Sequence, residues 1–400
     1  MELSGVSGIS LEEAQELILA QVKVLQRPEE LPLLEGLNRI AYDSLRAVLD
    51  QPPFDRSPLD GYALRHEDTL GASRENPAAC KVVARLPAGG PLPRPLLPGE
   101  AARIATGAMI PPGADCVVAQ EDTDEGDPDV LIYRELSSFE NYCFTGENCR
   151  RGECLLERGE RLTHGHVGAL AGQGIVRVRV FSPLRVGVLA TGDELAEGSL
   201  PAGKIYDANT PYISARILSL GMEPVPGYGR DDPAALADAF GALLESCDAV
   251  VTTGGVSVGT RDYIPEAVKR VGARVLFRKV RVKPGSSMLG AVKDGIPVLC
   301  LSGNPFAAAT TFEVLARPLL EKMGGSASYR PRRQEGILRT PFAKASPTRR
   351  LVFARIEGTD VFIPQKNALF SFFIRSNCLL DVPENSPPLE WGRRVSVVLL

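Results

Sequence analysis

The sequence predicts a multi-domain protein of mixed α/β and β class: a central three-layer α/β/α domain, a small β-rich domain inserted ahead of it, and a C-terminal β-barrel or sandwich. Three observations predict it. From about residue 182, apolar strand-like runs alternate with amphipathic helical ones, which implies a parallel sheet covered by helices on both faces. Between 62 and about 142, short apolar runs are broken by Pro, Gly and Asp, the spacing of a small β-rich domain. After Pro331, short strand-like runs return and continue to the end of the chain.

The composition suits this reading. The chain has 400 residues, 44% of them hydrophobic and 24% charged, as in a folded protein of several domains. A formal net charge of −4 excludes the overall basic field that drives nucleic-acid binding, so no nucleic-acid partner is expected. The N-terminus carries acidic residues where a signal peptide needs a basic start, and no run reaches the ~18 apolar residues of a membrane span. A cytoplasmic protein with no membrane partner is expected. The eight cysteines are too sparse for a disulfide scaffold. Cys143, Cys149 and Cys154 cluster, but their spacing matches no common metal pattern, and they are read as incidental. Two histidines, His164 and His166, do not make a metal site and are read as loop residues.

Taken in order, residues 10–26 read as a helix, with Ser10 as N-cap, Glu13 three residues on, and an apolar stripe from Leu11 to Leu25. A short strand and a mixed stretch follow, and the proline-rich DQPPFDRSPLDGYAL breaks the pattern at 50–64. In the α/β part, RVGVLATGDEL, EPVPGYG, DAVVTTGG and IPVLCLSGNP read as strands or extended segments. Helices are TPYISARILSLG, DPAALADAFGALLES, RDYIPEAVKRVG and FAAATTFEVLARPLLEKMG. The expected domains are 1–53 with 143–181 (linker or dimerisation), 54–142 (inserted, β-rich), 182–325 (α/β) and 326–400 (β-barrel).

Parallel sheets bind ligands at the carboxyl ends of their strands. Three strands end there in polar or glycine-rich loops: ATGDEL (190–195), TTGGVSVGTRD (252–262) and LSGNPFA (301–307). In the middle loop Gly254, Gly255 and Gly259 allow close backbone approach, with amides aimed at anionic oxygens, and Ser257 adds a hydroxyl. The third loop, Ser302, Gly303, Asn304 and Pro305, precedes a long helix whose positive end favours an anion. Plain turn chemistry is the alternative for any one loop. Glu194 and Asp262 have the hard oxygen donors that suit Mg²⁺ as a cofactor. Asp231 and Asp232 open a helix, so one of them serves equally well as N-cap or ligand. Lys279 and Lys283 alternate with apolar residues along one strand and so face one side, toward an anion or toward solvent. Outside this domain, Asp60 beside Gly61 and Thr106 beside Gly107 are marked turn positions.

Together, LNRI, DRSPLDGYA, RIATGAMIPPGADCVV, TGDEL, TTGGVSVGTRDY, VKPG and SGNP resemble the MoeA / gephyrin E-domain family, the molybdopterin molybdenumtransferases, over nearly the whole chain. The resemblance implies an elongated homodimer of four-domain subunits and an α/β domain of molybdopterin-binding type. It implies an enzyme that binds adenylyl-molybdopterin, inserts molybdate and releases AMP with Mg²⁺, alongside a molybdopterin adenylyltransferase as partner. Carried over by motif, Asp60 and Thr106 would come from the neighbouring subunit, Glu194, Asp231 and Asp262 would line the metal and nucleotide site, and Lys279 and Lys283 would hold anionic oxygens. The chain departs from the family's usual text at Asn148 (GEN for GED), at Ser286 (KPGS for KPGK) and in QKNALFSFFIRSN, which contains Lys366, Asn367 and Arg375. A molybdopterin adenylyltransferase, or a divergent tungstate-handling or scaffolding paralogue, is the alternative.

Overall fold

A computed structural model describes residues 5–91, 93–196, 198–256, 263–364 and 373–400. The chain divides into two compact units: residues 1–43, 158–164 and 177–400 form one, and 44–157 with 165–176 the other.

The larger unit is built on a seven-stranded sheet. Its spatial order is Val6–Ile9, Arg274–Val280, Leu289–Lys293, Ile296–Leu301, Ala249–Thr253, Arg185–Thr191, Glu223–Gly229. The last four run parallel, and their near-continuous Val, Leu and Ala content is that of strands buried on both faces. Helices Asn209–Ser219 and Pro305–Thr311 pack on one face through Ile213, Ile217, Ala308 and Ala309. On the other, Pro233–Ser246 and Ile264–Arg270 pack through Leu236, Phe240, Ala267 and Val268. This is the expected three-layer sandwich. Adjacent strands send their chains to opposite faces at the carboxyl edge, where Thr191, Thr253 and Leu301 end their strands, and it is at such an edge that parallel sheets bind ligands.

Residues 6–19, grouped by the sequence with a separate N-terminal domain, instead give this sheet an edge strand and its core a helix. Val6–Ile9 pairs with Arg274–Val280, and Leu11, Ala14 and Ile18 are buried in the core on the Asn209–Ser219 face. The expected capping box is present: Glu13 N–H donates to Ser10 Oγ, and Ser10 N–H to Glu13 Oε2. The helix stops at Leu19, with Ala20 as C-cap, rather than at 26, and beyond it Leu25 N–H donates to the Met323 carbonyl at 2.9 Å.

Five strands close a barrel near the C-terminus: Arg333–Leu338, Arg349–Glu357, Asp360–Phe362, Cys378–Val382 and Arg394–Leu399. Alternation splits the strands between two cores. Ala354, Ile356 and Leu380 fill the barrel, whereas Leu351, Phe353 and Leu379 face the helices of the α/β sandwich. The smaller unit carries a five-stranded sheet in the order Cys116–Ala119, Gly61–Leu64, Glu100–Ile104, Ala78–Leu86, Asp129–Ile132, matching the expected β-rich insertion. His164 and His166 lie on the helix His164–Gly172 rather than in a loop. No helix among the described residues is long and apolar enough to cross a membrane.

Candidate functional site

In the larger unit, three loops meet at the carboxyl edge. Gly254 has φ +95°, and a Cβ there would lie 2.5 Å from the Thr191 carbonyl oxygen. A Cβ on Gly303 would lie 3.2 Å from Gly254 Cα. Only glycine lets the middle loop touch both neighbours at once. The carbonyl of Gly303 accepts from Asn209 Nδ2 at 2.9 Å, which ties the third loop to the helix that leaves the first. Gly255, at φ +62°, continues the left-handed backbone toward the segment 257–262. Ser257, Gly259 and Asp262 lie outside the described residues.

Asn304 is the N-cap of helix Pro305–Thr311: its Oδ1 accepts from Phe306 N–H at 3.0 Å and Ala307 N–H at 3.2 Å. The cap therefore occupies the amides that the sequence assigned to an anion. Ser302 Oγ accepts from Asn304 N–H at 3.3 Å.

The acidic residues divide. Asp232 caps helix Pro233–Ser246, accepting from Ala234 and Ala235. Asp231 turns the other way: its Oδ2 accepts from Asp193 N–H at 3.2 Å, and its own N–H donates to Asp193 Oδ1 at 3.4 Å. Exposed Glu194 folds its carboxylate back over Gly192. Tyr228 donates to the Gly192 carbonyl at 3.2 Å. Burial raises the Tyr228 phenol above its usual value, and the charges of Asp193, Asp231 and Glu194 add to the effect. Three carboxylates thus act on this one phenol, with Arg230 opposing them. Among the described residues no three Asp, Glu, His or Cys side chains converge as a metal site.

The single strand expected to carry Lys279 and Lys283 is divided. Arg274–Val280 belongs to the α/β sheet, whereas Val282–Lys283 pairs with Arg349–Arg350 at the barrel. Lys279 has φ +58°, so strand alternation no longer relates the two side chains. The turn after Lys283 instead lies on the capped helix: a Cβ at Gly285 would meet Thr311 Cγ2 at 2.5 Å and the Ala307 carbonyl at 3.3 Å. Arg350 is the ladder partner of Lys283, and its buried Nε has no hydrogen-bond partner among the described residues. The sequence did not single out Arg350, Asn209, Asp193 or Tyr228. Arg350 is visible only through barrel pairing, but Asp193 stands inside the marked TGDEL text.

In the smaller unit, Asp60 and Thr106 come together from 46 positions apart. Asp60 Oδ1 accepts from the Thr106 N–H at 2.7 Å and from its hydroxyl at 2.9 Å. Those two bonds, the backbone one first, hold the Asp60 carboxyl below the usual aspartate range. The sheet demands the neighbouring glycine: a Cβ on Gly61 would lie 1.9 Å from the Val118 carbonyl. Cys143, Cys149 and Cys154 are free thiols, all raised above the ordinary thiol value.

Comparison with known proteins covers both units, although its N-terminal match crosses the boundary between them. The family described as "MoeA N-terminal region (domain I and II)" matches residues 9–174, and "Probable molybdopterin binding domain" matches 187–322. A protein named molybdopterin molybdenumtransferase from Staphylococcus aureus strain Mu50 is 36% identical over 376 residues, 92% of this chain and 90% of that one. Its namesake from Staphylococcus epidermidis ATCC 12228 is 35% identical over 401 residues, covering 98% and 95%. A crystal structure of the molybdopterin biosynthesis moeA protein of Pyrococcus horikoshii OT3 superposes with a TM-score of 0.84 at 27% identity, covering 98% of this chain and 100% of that one. Since the likeness spans both units and includes the glycine-built edge, the chain belongs to the molybdopterin molybdenumtransferase (MoeA) family.

Proposed function

We propose that this protein is an enzyme of molybdenum-cofactor biosynthesis that binds adenylyl-molybdopterin, inserts molybdate into it and releases AMP. One observation carries the reading: the Gly254 backbone is seated between Thr191 and Gly303 at the carboxyl edge of a parallel sheet, within a chain whose relatives bearing the transferase name match it over more than nine-tenths of its length. An adenylyltransferase reading accounts for the α/β domain alone, whereas those relatives extend across the inserted unit as well.

The residues divide the work by chemistry. Gly254 and Gly255 bring backbone amides to phosphate oxygens without a Cβ in the way. Lys283 and Arg350, side by side on one ladder, supply positive charge to the anionic substrates, with Lys279. Asp60 remains a hydrogen-bond acceptor well into acid because Thr106 holds it ionised. Glu194 and Asp231, with Asp262 from the segment outside the described residues, would hold Mg²⁺. The carboxylates of Asp193, Glu194 and Asp231 are hard oxygen donors, which suits that ion. Bound there, Mg²⁺ would neutralise phosphate oxygens as the pyrophosphate linkage breaks. Ser302, Gly303, Asn304 and Pro305 shape the third wall, with Asn304 acting as its cap.

The assay is direct. Purified protein supplied with adenylyl-molybdopterin, molybdate and Mg²⁺ should release AMP in step with metal-loaded pterin. Absence of AMP release, or ATP-dependent adenylylation of free molybdopterin, would refute the reading. The same proposal includes a cytoplasmic homodimer that receives its substrate from a molybdopterin adenylyltransferase, with Asp60 and Thr106 of one copy completing the site of the other. Mixing and re-associating Asp60→Asn and Glu194→Gln proteins should then restore about a quarter of wild-type activity by random pairing of two defects. No recovery would place both residues in one subunit's site.

A further inference from the structure

The helix that starts at Asn304 changes character at Phe312. Residues Phe312–Ala316 form a π-helical turn between the α-helices Pro305–Thr311 and Arg317–Met323. Such a turn inserts a residue and rotates the succeeding helix about its axis. Here it brings Glu313 to a position with no exposed surface, and Gln15 Nε2 donates to its neighbour's carbonyl, Val314 O, at 2.6 Å.

Glu313 is held from two sides. Arg216 approaches as a fork, Nε to Oε1 at 2.6 Å and Nη2 to Oε2 at 3.0 Å. Arg317 Nη1 lies 3.0 Å from Oε2, and its Nη2 donates to the Leu399 carbonyl at 3.1 Å. A buried ion triad is weak evidence of stability, since apolar replacements of similar volume are often as good. What this one adds is geometry. Arg216 lies seven residues after Asn209 on helix Asn209–Ser219, two turns on and on the same face. Asn209 holds the Gly303 carbonyl at the carboxyl edge. Helix Asn209–Ser219 is therefore held twice, to the Gly303 loop at the carboxyl edge and to the π-helical turn about 10 Å further along. A single clasp is a pivot; two fix the angle.

Resting on the reading of this edge as the site for adenylyl-molybdopterin, we propose that Glu313 is a positioning residue: through Arg216 it sets the placement of Asn209, and so of the Gly303 loop against Gly254. It acts on nucleotide binding and touches no substrate.

The test is a double-mutant cycle on the full-length protein, read by titration calorimetry with AMP and Mg²⁺. Asn209→Ala and Glu313→Gln should each weaken AMP binding about tenfold, with KM for adenylyl-molybdopterin raised in step and kcat changed less. The double variant should be no worse than either single one, because both act along one route. Arg216→Lys keeps the charge and loses the fork. It takes Glu313's place in the cycle if Glu313→Gln does not fold, and Glu313→Asp should recover part of the binding. Additive losses, or wild-type AMP affinity in folded Arg216→Lys, would overturn the proposal. A wild-type protein that binds no AMP would fault the functional reading instead.

Discussion

Asp60 and Glu194 are both exposed carboxylates on short loops, and the two units hold them in opposite ways. Asp60 receives two hydrogen bonds from Thr106, one from backbone and one from side chain, and its charge is settled by the protein itself. Glu194 folds over Gly192, in company with Asp193 and Asp231, with Lys204 Nζ on the Asp193 carbonyl and Arg230 opposing the carboxylates at Tyr228. The inserted unit thus presents a finished acceptor. The α/β edge presents a closely spaced backbone with Asp193, Glu194 and Asp231 beside it. One site is organised by donors to a side chain and the other by the absence of side chains, so they should fail differently when altered.

The largest failure is expected at Gly254. Alanine there meets the Thr191 carbonyl at 2.5 Å, and its φ of +95° is one that L-residues rarely adopt. Gly254→Ala should cost about 2 kcal/mol of stability and lower kcat/KM roughly a hundredfold by displacing the middle loop. Thermal unfolding and AMP-release kinetics measure the two effects together. A variant of wild-type rate would show that the loop's close approach does not matter to the reaction.

How far this contrast was legible in the sequence depends on the length over which each signal acts. The strands ending at Thr191, Thr253 and Leu301 were readable because buried parallel strands are apolar throughout, and their glycine loops stood out against them. The helix caps Ser10, Asp232 and Asn304 were readable or half-readable because a cap is set by three or four neighbouring residues. The edge strand Val6–Ile9 was not: four residues reading VSGI gain their place only by pairing with Arg274–Val280, some 270 positions away. The lysine pair misled for a similar reason. FRKVRVK alternates in text, but Lys279 leaves the strand region and the chain crosses from one sheet to another. Asp60 and Thr106 were marked by their glycine neighbours, but nothing local showed that one bonds the other.

A smaller effect, with a distinctive pH signature, is expected at Thr106. Thr106→Val keeps the backbone N–H and removes the hydroxyl bond to Asp60. The carboxyl should then move up toward its ordinary value of 3.8. If the ionised form is the working one, activity falls as pH drops through the carboxyl's pKa. Raising that pKa must therefore move the acid limb of kcat/KM to higher pH, with about a tenfold loss at the acid end and much less near neutrality. A parallel drop at every pH would mean that Thr106 acts through something other than the charge of Asp60.

The smallest effect concerns Ser286, where the family's usual text has lysine. Its carbonyl closes the turn by accepting from Val280 N–H at 3.0 Å, and its side chain is exposed. A longer side chain is therefore accommodated without disturbing Gly285, which is pressed against Thr311. Ser286→Lys adds a cation to the turn that already presents Lys283 beside Arg350. Affinity for anionic substrate should rise a few-fold, about 1 kcal/mol at low salt, and the gain should shrink as ionic strength rises. A gain that persists at high salt would point to a direct, desolvated contact. No gain at any salt would mean that Lys283 and Arg350 already satisfy the anion on that side, leaving the acidic edge around Glu194 as the region whose charge limits binding.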